Sequence, residues 1–376
     1  MKILIIGGLG ESLINFRGHL LTAMQAKGLD VHVAAPDLHE TSHIFRQLKA
    51  MGLSVHCIPV MRNSTNPFAD LRLAWTLLGL MYKIAPDMVL GYTVKPVIYG
   101  TLTAWIARVP RRFALITGLG YAFKDDRHHS FLRVLVHGLY YLSIGRASLT
   151  FFQNPDDLAL FRKCGILSRN SPVCVVNGSG VDLDRFAVKP FPLNNLEAAG
   201  AQFLFVGRLL GDKGIYEYMQ AVRLIKRAHP EVRCLLVGWI DSNPNSISRD
   251  ELSEWLADSG VEFLGRLTDV RPAIETCSVF VLPSYREGTP RTVLEAMSMG
   301  RPIITTDTPG CRETVIDGDN GFLIPVKNIN ALVEAMKKFI DDPSLISRMG
   351  ARSRQIVEDK YDVHKVNAVM LKAMGL

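Results

Sequence analysis

One pattern recurs along the whole chain and leaves few folds open to it. A short apolar run is stopped by Gly, Pro or Asn, and a longer amphipathic stretch follows. The first run, 2–6, is continuous rather than alternating, so it reads as a strand buried on both faces of a parallel sheet. Gly7-Gly8-Leu9-Gly10 stops it, an amphipathic stretch covers 13–27, and the next run is 31–35. Runs at 54–59, 88–91, 112–117, 149–152 and 173–176 repeat the unit, with helices predicted at 70–83, 97–108 and 156–163. The first of these helices counts Leu71, Trp75 and Leu78 among its apolar residues. A second series of runs occupies 203–206, 233–237, 261–264, 279–282, 302–305 and 321–324. Its predicted helices are 216–229, 252–258, 270–276, 292–299, 310–316, 328–341, 343–359 and 363–374. Two such series predict two α/β domains with doubly wound parallel sheets, facing each other across a cleft.

Length agrees with this reading, since 376 residues exceed one ordinary core. Residues 186–200, with their prolines, glycine and asparagines, form the best linker. The expected domains are therefore 1–185 and 186–355. Met1-Lys2 enters an apolar core at once and Gly7-Gly8 ends it, so no signal peptide is expected. No charge-free run is long enough to span a bilayer. The six cysteines are scattered without a CxxC pair, which argues against a disulfide framework or a zinc site and for a cytoplasmic protein.

Charge is unevenly placed. Residues 1–185 carry 20 Lys and Arg against 12 Asp and Glu, a surplus of eight; residues 186–376 carry 23 against 24. The first half is either basic by chance or faces something anionic, such as a membrane surface or a polyphosphate. Nucleic acid is not favoured, because no motif interleaves aromatic and basic residues. Within that half, 127–146 combines a broad apolar surface with Arg127, His128, His129, Arg133, His137 and Arg146. It reads as a core helix with a basic edge or as a helix resting on anionic lipid.

Candidate chemistry lies at strand exits, where open parallel sheets bind ligands. Gly7 and Gly8 make either a tight turn or a close approach to a phosphate, and their spacing departs from the dinucleotide fingerprint. Asn15 and Arg17 follow them. Lys95 and the Thr117-Gly118-Leu119-Gly120 turn are candidates by position. In the second half, Arg208 and Lys213 flank a glycine-bearing turn. They are solvated surface or a fork and a point charge for diphosphate oxygens. Gly265-Arg266 ends another run. The stretch 284–300 holds Glu287 on a loop and Glu295 in the helix that follows. A helix N-terminus offers free N–H groups to a phosphate, and a carboxylate there either caps and solvates or holds sugar hydroxyls. Asp182-x-Asp184 and Asp317-x-Asp319 sit in turns, so they read as local caps rather than metal ligands.

Taken together, Val206-Gly207-Arg208, Lys213-Gly214, Pro283-Ser284-Tyr285-Arg286-Glu287-Gly288, Pro290, Glu295-Ala296, Gly300-Arg301-Pro302-Ile303 and Gly321 resemble glycosyltransferase family 4. Asn177-Gly178 and Val181-Asp182 at the domain junction belong to the same likeness. The resemblance implies a GT-B fold and transfer of a sugar from a nucleotide diphosphate with retention of configuration. It implies that Arg208 and Lys213 bind the diphosphate, that Glu287 contacts the donor sugar and that Glu295 holds the ribose. Gly288, Thr289, Pro290, Arg291 and Thr292 would line the donor, and Arg266 and Leu267 would lie by the base. Gly7 and Gly8 would approach the diphosphate from the other domain, and 356–376 would cross back onto that domain. Many family members carry a histidine where this chain has Thr117-Gly118. Tyr92–Lys95, Asn66-Pro67-Phe68 and Asn15-Phe16-Arg17 instead resemble a branch that extends undecaprenyl-diphosphate-linked sugars, including α-1,3-N-acetylgalactosaminyltransferases. By that likeness, Asn15, Arg17, Asn66, Lys95, Thr117 and Gly118 are acceptor candidates.

The expected activity is transfer from a UDP-sugar to a polyprenyl-diphosphate-linked sugar in surface polysaccharide or glycan assembly, without a metal or other cofactor. The expected place is the inner face of the cytoplasmic membrane, peripherally held. Two rivals remain open at this point: a UDP-sugar epimerase or hydrolase of the same fold, and an inactive subunit of a polysaccharide assembly complex.

Overall fold

The computed structural model describes residues 1–61, 64, 66–119, 130–189, 201–241, 243 and 245–376. Most of the predicted linker lies outside them, as do Arg62, Asn63, Thr65, Gly120, Arg127, His128 and His129.

The first series of apolar runs forms a parallel sheet of β1 (Lys2–Ile6), β2 (Asp30–Ala35), β3 (Ser54–Cys57), β4 (Met88–Tyr92), β5 (Arg111–Ile116), β6 (Leu149–Phe152) and β7 (Val173–Val175). The strand order is β3-β2-β1-β4-β5-β6-β7, so the winding reverses between β1 and β4. Helices α1 (Gly10–Asn15), α2 (Gly18–Ala26), α3 (His43–Ala50), α4 (Pro67–Ile84), α5 (Thr101–Ile106), α6 (Ser130–Ile144) and α7 (Pro155–Lys163) connect the strands. Successive strand residues feed opposite cores. Ile3, Ile5 and Leu90 pack with α2, whereas Leu4, Ile6 and Val89 pack with Leu73, Leu77, Met81 and Ile84 of α4. Ala114 and Ile116, on the same face as Leu4, pack with Tyr140 and Ile144 of α6.

Several expectations need correction here. The stretch 13–27 is two helices, because Arg17 leaves helical geometry at φ −125°, ψ −6°. Helix α3 was not predicted; Ile44, Phe45 and Leu48 fall on one side of it and Ser42 caps it by accepting from the Phe45 N–H at 3.1 Å, but its 8 residues are too few for the apolar side to repeat. The helix predicted at 97–108 opens as a π-turn over Pro96–Gly100 before α5. The one predicted at 310–316 is a single 3-10 turn, Arg312–Thr314.

The second series forms a parallel sheet of β8 (Gln202–Arg208), β9 (Arg233–Trp239), β10 (Glu262–Phe263), β11 (Val279–Leu282), β12 (Ile303–Thr306) and β13 (Gly321–Ile324), in the order β10-β9-β8-β11-β12-β13. Here the winding reverses between β8 and β11. Its helices are α8 (Ile215–Ala228), α9 (Arg249–Ser259), α10 (Arg271–Thr276), α11 (Arg291–Ser298), α12 (Ile329–Asp341) and α13 (Ser344–Lys360). Strand β8 runs further than the apolar run at 203–206, because its pairing with β9 continues to Arg208↔Trp239. The charged side chain of Arg301 is fully enclosed in this unit. The Arg301 guanidinium donates to the carbonyls of Lys189, Ile274, Glu275 and Met299 at 2.6 to 3.0 Å.

By packing, one unit is residues 1–179 with 364–376, and the other is 180–363. The division falls before the boundary expected at 186. Val181 already belongs to the second unit, donating to the Tyr361 carbonyl and accepting from the Val363 N–H. The last helix, α14 (Val363–Ala373), places Met370 and Leu371, with Met374 just beyond it, in the core shared by β1, β2 and α2. Among the described residues no helix is long and apolar enough to cross a membrane.

Candidate active site

In open parallel sheets the strand exits flanking the reversal of winding form the ligand crevice. In the second unit these are the exits of β8 and β11, and they carry Arg208, Lys213 and Glu287. Arg208 is the last residue of β8 and pairs with Asp241 at 3.2 Å. Lys213 lies in a 3-10 turn, Gly211–Lys213, and its Nζ is 2.5 Å from Glu287 Oε1. The sheet order thus joins two residues that stand far apart in the sequence.

The Glu287 loop is tied on several sides. The Tyr285 N–H donates to the Asp212 carbonyl at 2.9 Å, and the Glu287 N–H donates to the Pro309 carbonyl at 3.0 Å. The hydroxyls of Thr306 and Thr308 both donate to the Ser284 carbonyl. Gly310 adopts φ +84°, and a Cβ there would run into the Glu287 backbone. Only glycine satisfies both demands. The Tyr285 hydroxyl donates to Glu217 at 2.7 Å, and burial together with that carboxylate pushes its pKa up. Lys327 lies over the Tyr285 ring at 5.1 Å.

Helix α11 starts at Arg291 behind Pro290, with no side-chain cap on its N-terminus. Gly288 and Pro290 are buried, while Thr289, Arg291 and Thr292 are half-buried. Glu295, one turn on, accepts from Arg291 Nε at 2.9 Å. Burial pushes its carboxyl up from the ordinary carboxylate range, against the pull of Arg291 and Arg185. The native protein therefore holds this proton more tightly than the unfolded chain does. The resulting stabilisation is full below the unfolded pKa and is lost as pH rises through the native value. Glu295→Gln is expected to flatten this loss, so its thermal midpoint should fall less than wild type between about pH 4 and 7. A midpoint that tracks wild type across that range would refute the assignment.

At the neighbouring exits, Arg266 lies over the Trp239 ring at 4.8 Å, while Leu267 packs against the core of the unit. Asp182 Oδ1 accepts from the N–H groups of Asp184 and Arg185, and Asp317 Oδ1 from that of Leu323, so both D-x-D triples make local contacts. Among the described residues, no three His, Cys, Asp or Glu side chains gather as a metal site would require.

The first unit has its own reversal point, at the exits of β1 and β4. A side chain on Gly7 would strike the Tyr92 hydroxyl, and one on Gly8 the Thr93 hydroxyl. That hydroxyl of Tyr92 is 2.7 Å from Ser12 Oγ, and the Arg17 guanidinium lies over the ring at 5.2 Å. Burial pushes the Tyr92 phenol up to about 12. Thr93 adopts φ +70°, an outlier for a β-branched residue and a mark of strain held by its surroundings. Lys95 is gripped by Asp70 at 2.5 Å and by the Ser64 carbonyl at 2.7 Å, and Tyr99 donates to the other oxygen of Asp70 at 2.9 Å. Asn66 caps α4, accepting from the Phe68 N–H at 3.0 Å. Asn15 is exposed at the end of α1, and Thr117 and Gly118 follow β5 half-buried, Gly118 with φ +142°.

Sequence reasoning missed Asp241, Trp239, Glu217, Tyr285 and Tyr92 as site residues. The available signal was their position: each stands at or beside an exit of the strands next to a reversal, once the order is known.

Two parallel-sheet units of this design define a GT-B type of α/β protein. Residues 189–356 match the family model Glycosyl transferases group 1, and residues 2–154 match the model Glycosyl transferase 4-like. Each of the two units thus carries a glycosyltransferase family match of its own, and the protein is a glycosyltransferase. It is similar to the N,N'-diacetylbacillosaminyl-diphospho-undecaprenol alpha-1,3-N-acetylgalactosaminyltransferase of Campylobacter jejuni. Identity is 28% over 368 residues, covering 94% of this chain and 93% of that one. It is also similar to the UDP-Gal:alpha-D-GlcNAc-diphosphoundecaprenol alpha-1,3-galactosyltransferase of Escherichia coli, 24% identical over 321 residues, covering 82% and 80% of the two chains. Among solved structures, Anabaena HepE in complex with UDP shares the fold, with a TM-score of 0.77 at 18% identity over 100% of both chains.

Proposed function

We propose that this enzyme moves an N-acetylhexosamine or hexose from a UDP-sugar to a sugar carried on a polyprenyl diphosphate, with retention of configuration, in surface polysaccharide or glycan assembly. The observation that carries this reading is the grouping of Arg208, Lys213 and Glu287 at the β8/β11 reversal. The relatives of Campylobacter jejuni and Escherichia coli act on undecaprenyl-diphosphate-linked sugars by their names, which supports the acceptor class. The place of work would be the membrane face where such a carrier resides, with the enzyme held peripherally on the cytoplasmic side.

In this reading Arg208 and Lys213 face the diphosphate, with the positive end of the α11 dipole. Glu287 holds the donor sugar, Glu295 the ribose, and Arg266 stands by the base. The anomeric carbon's bond to the diphosphate oxygen breaks, and a bond to the acceptor hydroxyl forms on the same face. The acceptor proton passes to the departing phosphate oxygen, so no protein base is needed. Negative charge grows on the diphosphate as the bond breaks, and fixed positive groups stabilise it without reorganising. Because Arg208 and Lys213 supply that charge, transfer is expected to withstand a chelator. On the acceptor side, Asn15, Arg17, Lys95, Thr117 and Gly118 remain the candidates, with Asn66 acting through the start of α4.

The test is a screen of radiolabelled UDP-sugars against synthetic polyprenyl-diphosphate sugars. Product that forms only when both are present is the expected result. Sugar release or interconversion without acceptor would favour the epimerase or hydrolase instead. Failure to bind any UDP-sugar by calorimetry would favour the inactive subunit.

A further inference from the structure

Helix α4 carries two apolar stripes. Leu73, Leu77, Met81 and Ile84 form the buried one. The second consists of Phe68, Leu71, Trp75 and Tyr82, which are 80%, 57%, 67% and 65% exposed. Their spacings of three, four and seven place them along one side of a helix, roughly opposite the buried stripe and about 21 Å long. The sequence alone treats the apolar residues of this helix as a single class; only the packing separates them. Exposed apolar rows of this size mark an interaction surface.

Its surroundings narrow the partner. Arg72 and Lys83 are exposed on the same helix. The only acidic residue of α4, Asp70, points away into the pair with Lys95 and Tyr99. Helices α5 and α6, on the same face of the sheet, contain no acidic residue at all. Helix α6 adds exposed Val134, Leu135, Tyr141 and Leu142, and Trp105 at the end of α5 lies under the Arg146 guanidinium at 4.3 Å. Apolar and aromatic rows flanked by cations, on helices whose one carboxylate is the paired Asp70, complement a surface that is greasy inside and negative at its edge.

We infer that the outward stripe of α4, extended by α6, rests on an anionic lipid bilayer. The helix lies in the interface and does not span it. The inference rests on the proposed function in one respect: a membrane-held acceptor needs the enzyme at that surface. The stripe begins with Phe68 in the first turn of α4, the turn that also holds Asp70 against Lys95. Docking on this stripe therefore brings lipid level with the candidate acceptor residues.

The test is co-sedimentation with vesicles of phosphatidylcholine, with and without phosphatidylglycerol, in the absence of any sugar nucleotide or polyprenyl carrier. Wild type is expected on the phosphatidylglycerol vesicles. Leu71→Ser/Trp75→Ser should bind at least tenfold more weakly, and Arg72→Gln/Lys83→Gln should lose most of the preference for the anionic lipid. Both variants replace exposed side chains, and circular dichroism should show them folded. Both should keep wild-type transfer to a short-chain, water-soluble acceptor. No binding by wild type, or equal binding by the serine variant, overturns the inference. So does a wild-type dimer in analytical ultracentrifugation that the serine variant converts to monomer, since the stripe would then belong to a second copy. Because the vesicles hold no acceptor, failure of the proposed reaction would leave the binding result unchanged, and the two can fail separately.

Discussion

Replacing Lys213 or Arg208 by alanine is expected to lower kcat/KM for transfer about a hundredfold at subsaturating donor, a loss of roughly 3 kcal/mol in transition-state stabilisation. Each change removes a positive charge from the place where diphosphate charge would grow. The two should differ in detail. Lys213→Ala also removes the ammonium that holds Glu287 Oε1 at 2.5 Å, so the loop carboxylate is held less firmly as well. Arg208→Lys should recover only part of the loss, because an ammonium lacks the planar fork. Wild-type turnover in either alanine variant would sink the assignment of these residues to the donor. A fall confined to KM would move them from transition-state stabilisation to ordinary binding.

Arg301→Met is expected to be the most destabilising of the single substitutions considered. The native guanidinium is fully buried and donates to four backbone carbonyls, those of Lys189, Ile274, Glu275 and Met299. Methionine fills the volume but leaves those carbonyls without the charged donor. A cost of about 4 kcal/mol follows from several lost hydrogen bonds to a charged group, counted with their lack of additivity. In a unit of this size that corresponds to a midpoint lower by about 10 °C. Thermal unfolding followed by calorimetry checks it. A shift of only a degree or two would mean that water replaces the guanidinium freely and that the enclosure is looser than the geometry implies.

The strands were largely legible because parallel strands buried on both faces leave continuous apolar runs. Lys2–Ile6, Leu149–Phe152, Val279–Leu282 and Gly321–Ile324 carry that signal to the residue. Helix α3 was not read from the sequence, since its 8 residues hold a single turn of the apolar side, Ile44, Phe45 and Leu48. The candidate site was legible in part. Arg208, Lys213, Glu287 and Glu295 stand out by type and position, and the likeness to a family sharpened them. Their partners were hidden for a physical reason. Asp241 meets Arg208 because β9 lies beside β8, and Glu217 meets Tyr285 because the winding reverses there. Strand order is a property of the assembled sheet, so no local window of sequence contains it. The same holds for the α4 surface. Trp75 and Leu77 are equally apolar in the sequence, and only the neighbours separate the exposed one from the buried one.

The return of α14 to the first unit makes residues 180–363 an insertion within it. A chain that emerges from its N-terminus must carry the β1–β7 sheet with an unfilled gap until α14 is made. Met370, Leu371 and Met374 close that gap. The inserted unit has all its residues in hand earlier and can complete its own core first. The half of the protein that would meet the membrane is thus finished after the inserted unit. Any loss of α14 falls on that half, although the two are far apart in the sequence.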